Sequence, residues 1–265
     1  MIELARRLRE KLSHGCVFGI FSKTSDPAFI EITGYAGFDF VILDLEHGAN
    51  SVQTIQNLIR AAEIAGVTPV VRVKEDTLSV IEEVLDIGAA GVQIPHVNNA
   101  ERVKRVLQVA KFAPLGERGV CRFVRAARYS SMDRFQYFRE ANEALVIIHI
   151  EGREGLEGLP GILDTGGVDV VFIGPYDLSQ SLGVHGQVEH ERVICTIREI
   201  VEMCKEKNVA VGTFVESVEW AMKWRLLGIR YIAYSVDVGL FYEKCCEIVG
   251  KLSLKACRDE KGGNS

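Results

Sequence analysis

The chain has 265 residues, 48% of them hydrophobic and 25% charged, with a net charge of −5. This is the composition of an ordinary globular protein and excludes a disordered, collagenous or coiled-coil character. A negative balance without any Lys/Arg run leaves no footprint for nucleic acid, and no apolar stretch is long enough to cross a bilayer membrane.

The opening residues, MIELARRLREKLSHG, carry Glu3 and Glu10 and no apolar signal core, so the expected location is the cytoplasm. They read as an amphipathic helix with Leu4, Leu8 and Leu12 on one face. Beyond it, β-branched runs alternate with helical periodicity. Strands are predicted at 16–21, 38–46, 68–73, 91–97, 144–150, 169–175, 209–215 and 231–236. Helices are predicted at 26–36, 51–65, 77–87, 99–110, 154–164, 190–207, 217–227 and 237–250. Eight βα units with near-continuous apolar strands imply a parallel sheet covered by helices, and eight is the number that closes into a (β/α)8 TIM barrel. An open doubly wound sheet is the alternative, but it would want a Gly-rich phosphate turn after its first strand, which GIFSKTSDP is not. A faint repeat supports closure: GFDFVI (37–42), GVQIPH (91–96), GVDVVF (167–172) and GIRYIA (228–233) open every second strand, each Gly being expected as a left-handed helix cap. The expectation is an α/β fold, a single barrel domain over 1–257 with an N-terminal capping helix, followed by a disordered polar tail (258–265).

Several segments carry their own readings. Residues 111–140 form a stretch too long for an ordinary connection and are expected to be a functional loop; Arg122, Arg125 and Arg128 within it are either a solvated face or an anion-binding strip beside the active site. GREGLEGLPG (152–161) lacks the Lys-Ser/Thr ending of a phosphate loop and reads as close packing in a helix. Trp220 and Trp224, one helical turn apart, read as core or interface. The seven cysteines show no metal-ligand spacing and are expected as reduced, small apolar residues, with Cys245 and Cys246 partly buried on a helix. The C-terminal helix, with Val238, Leu240, Phe241, Ile248 and Val249, is expected at a subunit contact.

In a barrel the C-terminal strand ends form the active face. Here those ends are Asp44, Glu46 and His47 after strand two; Arg72 after three; Pro95 and His96 after four; His149 and Glu151 after five; Gly174, Pro175, Tyr176 and Asp177 after six; Glu216 after seven; and Ser235 and Asp237 after eight. Alternation puts Leu145, Ile147, His149 and Glu151 on one face of strand five, and Phe40, Ile42, Asp44 and Glu46 on one face of strand two. Each face is apolar at the bottom and ionisable at the top. Glu151 and Asp177 suit one Mg²⁺ or Mn²⁺ that keeps open positions. Arg72 can hold a carboxylate or a developing enolate oxygen. His47 is a natural acid/base, with Asp44 or Glu46 available to orient it. Together these suit enolate chemistry on a small 2-oxo acid.

At DLEHG (44–48), VR (71–72), the GERGV…RAARY segment (116–129), residues 148–183 with their GP-x-DLS signature, and QVEHERV (187–193), the sequence resembles the HpcH/HpaI aldolases, metal-dependent class II enzymes acting on 4-hydroxy-2-oxo acids. The resemblance implies Mg²⁺, Mn²⁺ or Co²⁺ on Glu151 and Asp177, and no organic cofactor. It implies His47 as catalytic base, Arg72 as transition-state stabiliser, and the backbone amides of Tyr176 and Asp177 as the seat of the pyruvyl carboxylate. It also implies a homo-oligomer, a hexamer, in which Asp86 of a neighbouring copy raises the basicity of His47; Asp44 is the alternative within the chain. The chain departs from the family at His149, where Gln is usual and a substrate contact is expected, and at Tyr176, where Ala or Ser is usual. The implied activity is cleavage of a 4-hydroxy-2-oxo-dioate or a 2-keto-3-deoxy sugar acid to pyruvate and an aldehyde. Oxaloacetate decarboxylation at the same site, a CoA-thioester lyase of the citrate lyase β-chain type, and a non-catalytic 2-oxo acid-binding barrel are the alternatives.

Overall fold

The computed structural model describes residues 2–74 and 77–262. Eight parallel strands, β1 (Val17–Ser22), β2 (Phe40–Asp44), β3 (Thr68–Arg72), β4 (Gly91–Ile94), β5 (Leu145–Ile150), β6 (Val170–Ile173), β7 (Ala210–Val215) and β8 (Tyr231–Val236), pair in chain order and close β8 onto β1. The helices are α1 (Ile2–His14), α2 (Pro27–Tyr35), α3 (Val52–Ala65), α4 (Leu78–Asp86), α5 (Ala100–Ala110), α6 (Arg134–Ala141), α7 (Arg153–Asp164), α8 (Pro175–Ser181), α9 (Glu191–Glu206), α10 (Val218–Leu226) and α11 (Asp237–Gly262). The closed barrel is the expected architecture and replaces the open-sheet alternative. Among the described residues no helix is long and apolar enough to cross a membrane.

Two-residue alternation along the strands divides the core. Val41, Leu43, Val71, Val146 and Ile148 face outward and pack with the helices. Phe40, Ile42, Val70, Leu145, Ile147, Val170, Phe172 and Tyr231 fill the interior, where Phe40 stacks on Tyr231 with ring centroids 3.8 Å apart. Helix α1 closes the lower, N-terminal mouth. Its Leu8 and Leu12 join the interior cluster, Arg9 pairs with Asp169 at 2.9 Å and Glu143 at 2.7 Å, and Arg230 donates to the carbonyl of Leu12 at 3.0 Å. With the bottom covered by α1, the interior opens at the C-terminal strand ends.

Several local expectations change. Gly37, Gly167 and Gly228 do take positive φ. Gly91 instead lies inside β4, where a Cβ would come within 2.7 Å of the Leu145 Cβ; the left-handed residue before this strand is Gly88. Residues 111–140 are not a structureless loop. They contain a 3-10 turn (Arg125–Ser130) and α6, tied down by a cluster of Phe112, Tyr137 and Phe138. This segment lies at the lower end, where Arg125 and Arg128 share a cavity with Ile2 and Arg6 of α1. Arg125 pairs with Glu63 and donates to the Ile87 carbonyl. The arginines therefore do not flank the upper mouth of their own barrel. In α7, Gly155 comes against the Val97 carbonyl, as close packing requires. Trp224 is buried in the outer core, with Trp220 against it. Helix α11 runs past 250 to Gly262, taking in residues 258–262 of the expected tail; 263–265 lie outside the described residues. Cys245 and Cys246 are exposed on it.

The Phe40–Tyr231 stack is packed directly against Gly19, where a Cβ would run into the Phe40 ring. Both rings are fully buried, so neither can swing away. We expect Gly19→Ala to cost about 1–3 kcal/mol by overpacking, read as a lowered urea midpoint with an unchanged m-value.

Candidate active site

The register of the barrel assembles the polar layer. Asp44, Arg72 and Gln93 are successive register partners across β2, β3 and β4, and all three point inward above the apolar layers. Asp44 is fully buried. It accepts Arg72 Nε at 2.9 Å and Nη2 at 2.7 Å, a bidentate fork, while Arg72 Nη1 reaches Glu46 Oε2 at 2.9 Å. Asp44 also accepts the backbone N–H groups of Glu46 (3.0 Å) and His47 (3.3 Å), which shapes the turn carrying His47. Burial would raise the Asp44 carboxyl, but the hydrogen bonds and charge of Arg72 hold it below the ordinary carboxylate value.

Across the mouth, His149 and Glu151 form a second buried unit. His149 Nδ1 donates to Glu151 Oε1 at 2.7 Å. Gln93 Nε2 lies 2.5 Å from His149 Nε2, and the His149 ring stacks on Phe172, its register partner, at 4.7 Å. Glu151 Oε2 receives the His96 backbone N–H at 3.2 Å and His96 Nδ1 at 2.9 Å. Burial opposes ionisation of Glu151, but His149 and His96 outweigh it and hold the group down at about 2. Gly174 lies against this carboxylate: a Cβ there would come 2.9 Å from both Cγ and Oε1 of Glu151.

A cavity of about 200 Å³ joins the two units, lined by His47, Arg72, His149, Glu151, Gly174, Pro175, Tyr176 and Asp177, with Lys23 and an apolar wall that includes Phe21 and Phe214. Tyr176 donates its hydroxyl to Glu216, and this bond, with burial, pushes its phenol up to about 12.

The structure brings together His47, Arg72, Asp44, His149, Glu151 and the Gly174–Asp177 turn. It separates Asp86 from them. Asp86 ends α4 and pairs with Arg118 at 2.5 Å, and Arg118 borders the lower end beside Ile2 and Ala5. Nor does Asp44 serve the His47 ring: its carboxylate is spent on Arg72 and the backbone, and the acid approaching the imidazole is Glu46, at 3.8 Å. Both His149 nitrogens are engaged within the protein. Gln93, His96 and Lys23 were not assigned roles from the sequence. For Gln93 the signal was present, as the single polar residue on the inward face of an apolar strand. For His96 it was not, because its bond to Glu151 depends on a left-handed backbone, φ 51°.

A profile of the HpcH/HpaI aldolase/citrate lyase family matches residues 17–243. The chain belongs to this family. The 2-keto-3-deoxy-L-rhamnonate aldolase of Salmonella gallinarum is 34% identical over 242 residues, covering 91% of this chain and 90% of that one. The crystal structure of the citrate synthase SbnG superposes with a TM-score of 0.85 at 30% identity, covering 97% and 99% of the two chains. That of an HpcH/HpaI family protein from Burkholderia cenocepacia gives 0.87 at 28% identity, covering 96% and 100%. Like the named aldolases of this family, the chain is a carbon–carbon lyase.

In this HpcH/HpaI lyase, Asp44→Asn removes the buried partner of Arg72. Because Glu46 still holds one guanidinium nitrogen, we expect a loss of about 3 kcal/mol, at the low end for a broken buried pair. A carboxyl held below its ordinary value supports the fold above the ordinary carboxylate range and loses that support as the pH falls through its folded titration. Urea midpoints of wild type and variant should therefore differ most at neutral pH and converge in acid; a gap independent of pH would contradict the assignment.

Proposed function

We propose that this lyase is a divalent-metal-dependent pyruvate aldolase, reversibly splitting a 4-hydroxy-2-oxo acid into pyruvate and an aldehyde. The observation that carries this reading is the convergence of Glu151, Asp177, Arg72 and His47 on one cavity. The donor set fits a hard cation. Glu151 is already ionised, Gly174 leaves room beside it, and Asp177 opens α8 at the same cavity. Among the described residues no cage of three or more His, Cys, Asp or Glu forms, so two carboxylates would hold Mg²⁺, Mn²⁺ or Co²⁺ and leave its other positions to substrate and water. Bound there, the ion supplies a Lewis acid for the 2-oxo group.

The protein's own groups do the rest. Arg72 has five N–H donors and spends three on Asp44 and Glu46, leaving two for the oxygen that becomes the enolate. Its fork is preorganised, so little rearrangement is needed as charge develops. The N–H groups of Tyr176 and Asp177 open α8, where a helix offers no earlier carbonyl to bond them, and receive the pyruvyl carboxylate. His47 stands at the rim with its imidazole largely exposed, suited to taking the proton of the 4-hydroxyl. His149, held by Gln93 and Phe172, keeps Glu151 in place. The cellular form is a homo-oligomer, a hexamer, located in the cytoplasm. Val238, Phe241, Val249 and Leu252 stand exposed along α11 and are covered by neighbouring copies, one of which would carry Asp86 towards His47. Light scattering that finds a fully active monomer would exclude this arrangement.

Exhaustive chelation should abolish pyruvate release, and Mg²⁺, Mn²⁺ or Co²⁺ should restore it; full activity in a metal-free preparation would overturn the reading. The roles of Arg72 and His47 separate on oxaloacetate, whose decarboxylation forms the same enolate but has no hydroxyl proton to remove. Arg72→Lys keeps the charge and loses the fork, and should lower both reactions by about 10²–10³. His47→Ala should lower aldol cleavage by about 10²–10⁴ and decarboxylation far less. Equal losses in both would assign His47 to binding instead.

A further inference from the structure

Lys23 follows the end of β1 and borders the cavity that holds Arg72, His47 and Glu151. Its backbone is fixed. The Lys23 N–H donates to both oxygens of Asp237 at 3.1 Å, and its carbonyl accepts Asn50 Nδ2 at 3.3 Å. The side chain is half-buried, and among the described residues it has no ion-pair partner.

Of the acids around it, Asp177 is the one assigned to the metal in the reading above, and the others are committed within the protein. Asp237 takes Ser22 Oγ, the backbone N–H groups of Lys23, Thr24 and Val238, and Thr24 Oγ. Glu46 and Asp44 hold Arg72, and Glu151 holds His149 and His96. Arg72 is thereby matched by two carboxylates, and Lys23 is left as a cation lining this cavity that makes no ion pair among the described residues.

Its place in the barrel says which part of a substrate it meets. Strand order puts β1 opposite β5 in the closed ring. Glu151 follows β5 and Asp177 follows β6, so the pyruvyl half sits on that side; His47 follows β2, next to β1. A chain that runs from the pyruvyl end past His47 arrives at Lys23 with its aldehyde-derived half. We infer that Lys23 is a specificity-determining residue that pairs with an anionic group, a carboxylate or a phosphate, on the aldehyde half of the substrate. This rests on the pyruvate aldolase reading above and narrows it to acids charged at both ends.

The test is the rate of pyruvate addition to matched aldehydes: succinic semialdehyde against butanal, and glyceraldehyde 3-phosphate against glyceraldehyde. The wild type should favour the charged member of at least one pair by roughly ten- to hundredfold in kcat/KM, as one charge-assisted hydrogen bond provides; which pair shows it identifies the anion. Lys23→Met should remove that preference and Lys23→Arg should keep it. Because the readout is a ratio within one variant, general damage to the site cancels. No preference in either wild-type pair, a preference unchanged in Lys23→Met, or borohydride trapping of pyruvate on Lys23 would overturn the inference. Metal-dependent exchange of the pyruvate methyl protons with D2O needs no aldehyde. If the wild type lacks it, the aldolase reading itself fails; exchange without charge preference fails Lys23 alone.

Discussion

Closure of a parallel sheet constrains everything else in this protein. Parallel pairing of all eight strands delivers every C-terminal strand end to the same mouth, and closure turns one side chain in two toward a common axis. Helix α1 seals the opposite mouth with Leu8 and Leu12. A polar residue placed inward near the end of any strand therefore has one destination. Asp44, Arg72, Gln93, His149 and Glu151 come from four strands and still meet at one mouth: register lays the first three side by side, and hydrogen bonds link Gln93 to His149 and His149 to Glu151.

That layer is costly unless its charges are matched. Three buried or half-buried acids, Asp44, Glu46 and Glu151, would repel one another in an apolar barrel. Arg72 between Asp44 and Glu46, and His149 and His96 around Glu151, give each acid a partner and hold it in place. The same pairing that stabilises them prepares the site. A guanidinium held in a buried fork is already aimed, and a carboxylate fixed by two histidines presents the same oxygens each time. The apolar rings of Phe172 and Phe21 complete the setting by stacking on His149 and lying 4.8 Å from the Arg72 guanidinium.

Relatives in the family carry names for different carbon–carbon chemistry, an aldolase and a citrate synthase among them. On the reading proposed above, the inner layer accommodates this because it deals with the enolate end. Residues beyond the strand ends, such as Lys23, Tyr176 and Glu216, border the remaining volume. They lie past the strand ends, where residues can change without disturbing the register below.

The strands, their order and the polar rim were legible in the sequence because they follow from local rules. Period-two alternation distinguishes an apolar strand with ionisable residues at its top, and the count of βα units gives the barrel. The pairing of those residues was not legible. Asp86 and Arg118 lie 32 positions apart, Gln93 and His149 lie 56 apart, and no local pattern announces either contact. Residues 111–140 read only as a long functional loop because their order comes from Phe112, Tyr137 and Phe138 meeting across distant turns. Sequence alone thus determined the fold, the family and the set of chemical groups at the mouth, since these depend on residue type and spacing. Tertiary structure decided which acid holds Arg72, that His149 serves Glu151, and that Lys23 is left unmatched, since charge balance depends on distances that only the closed barrel sets.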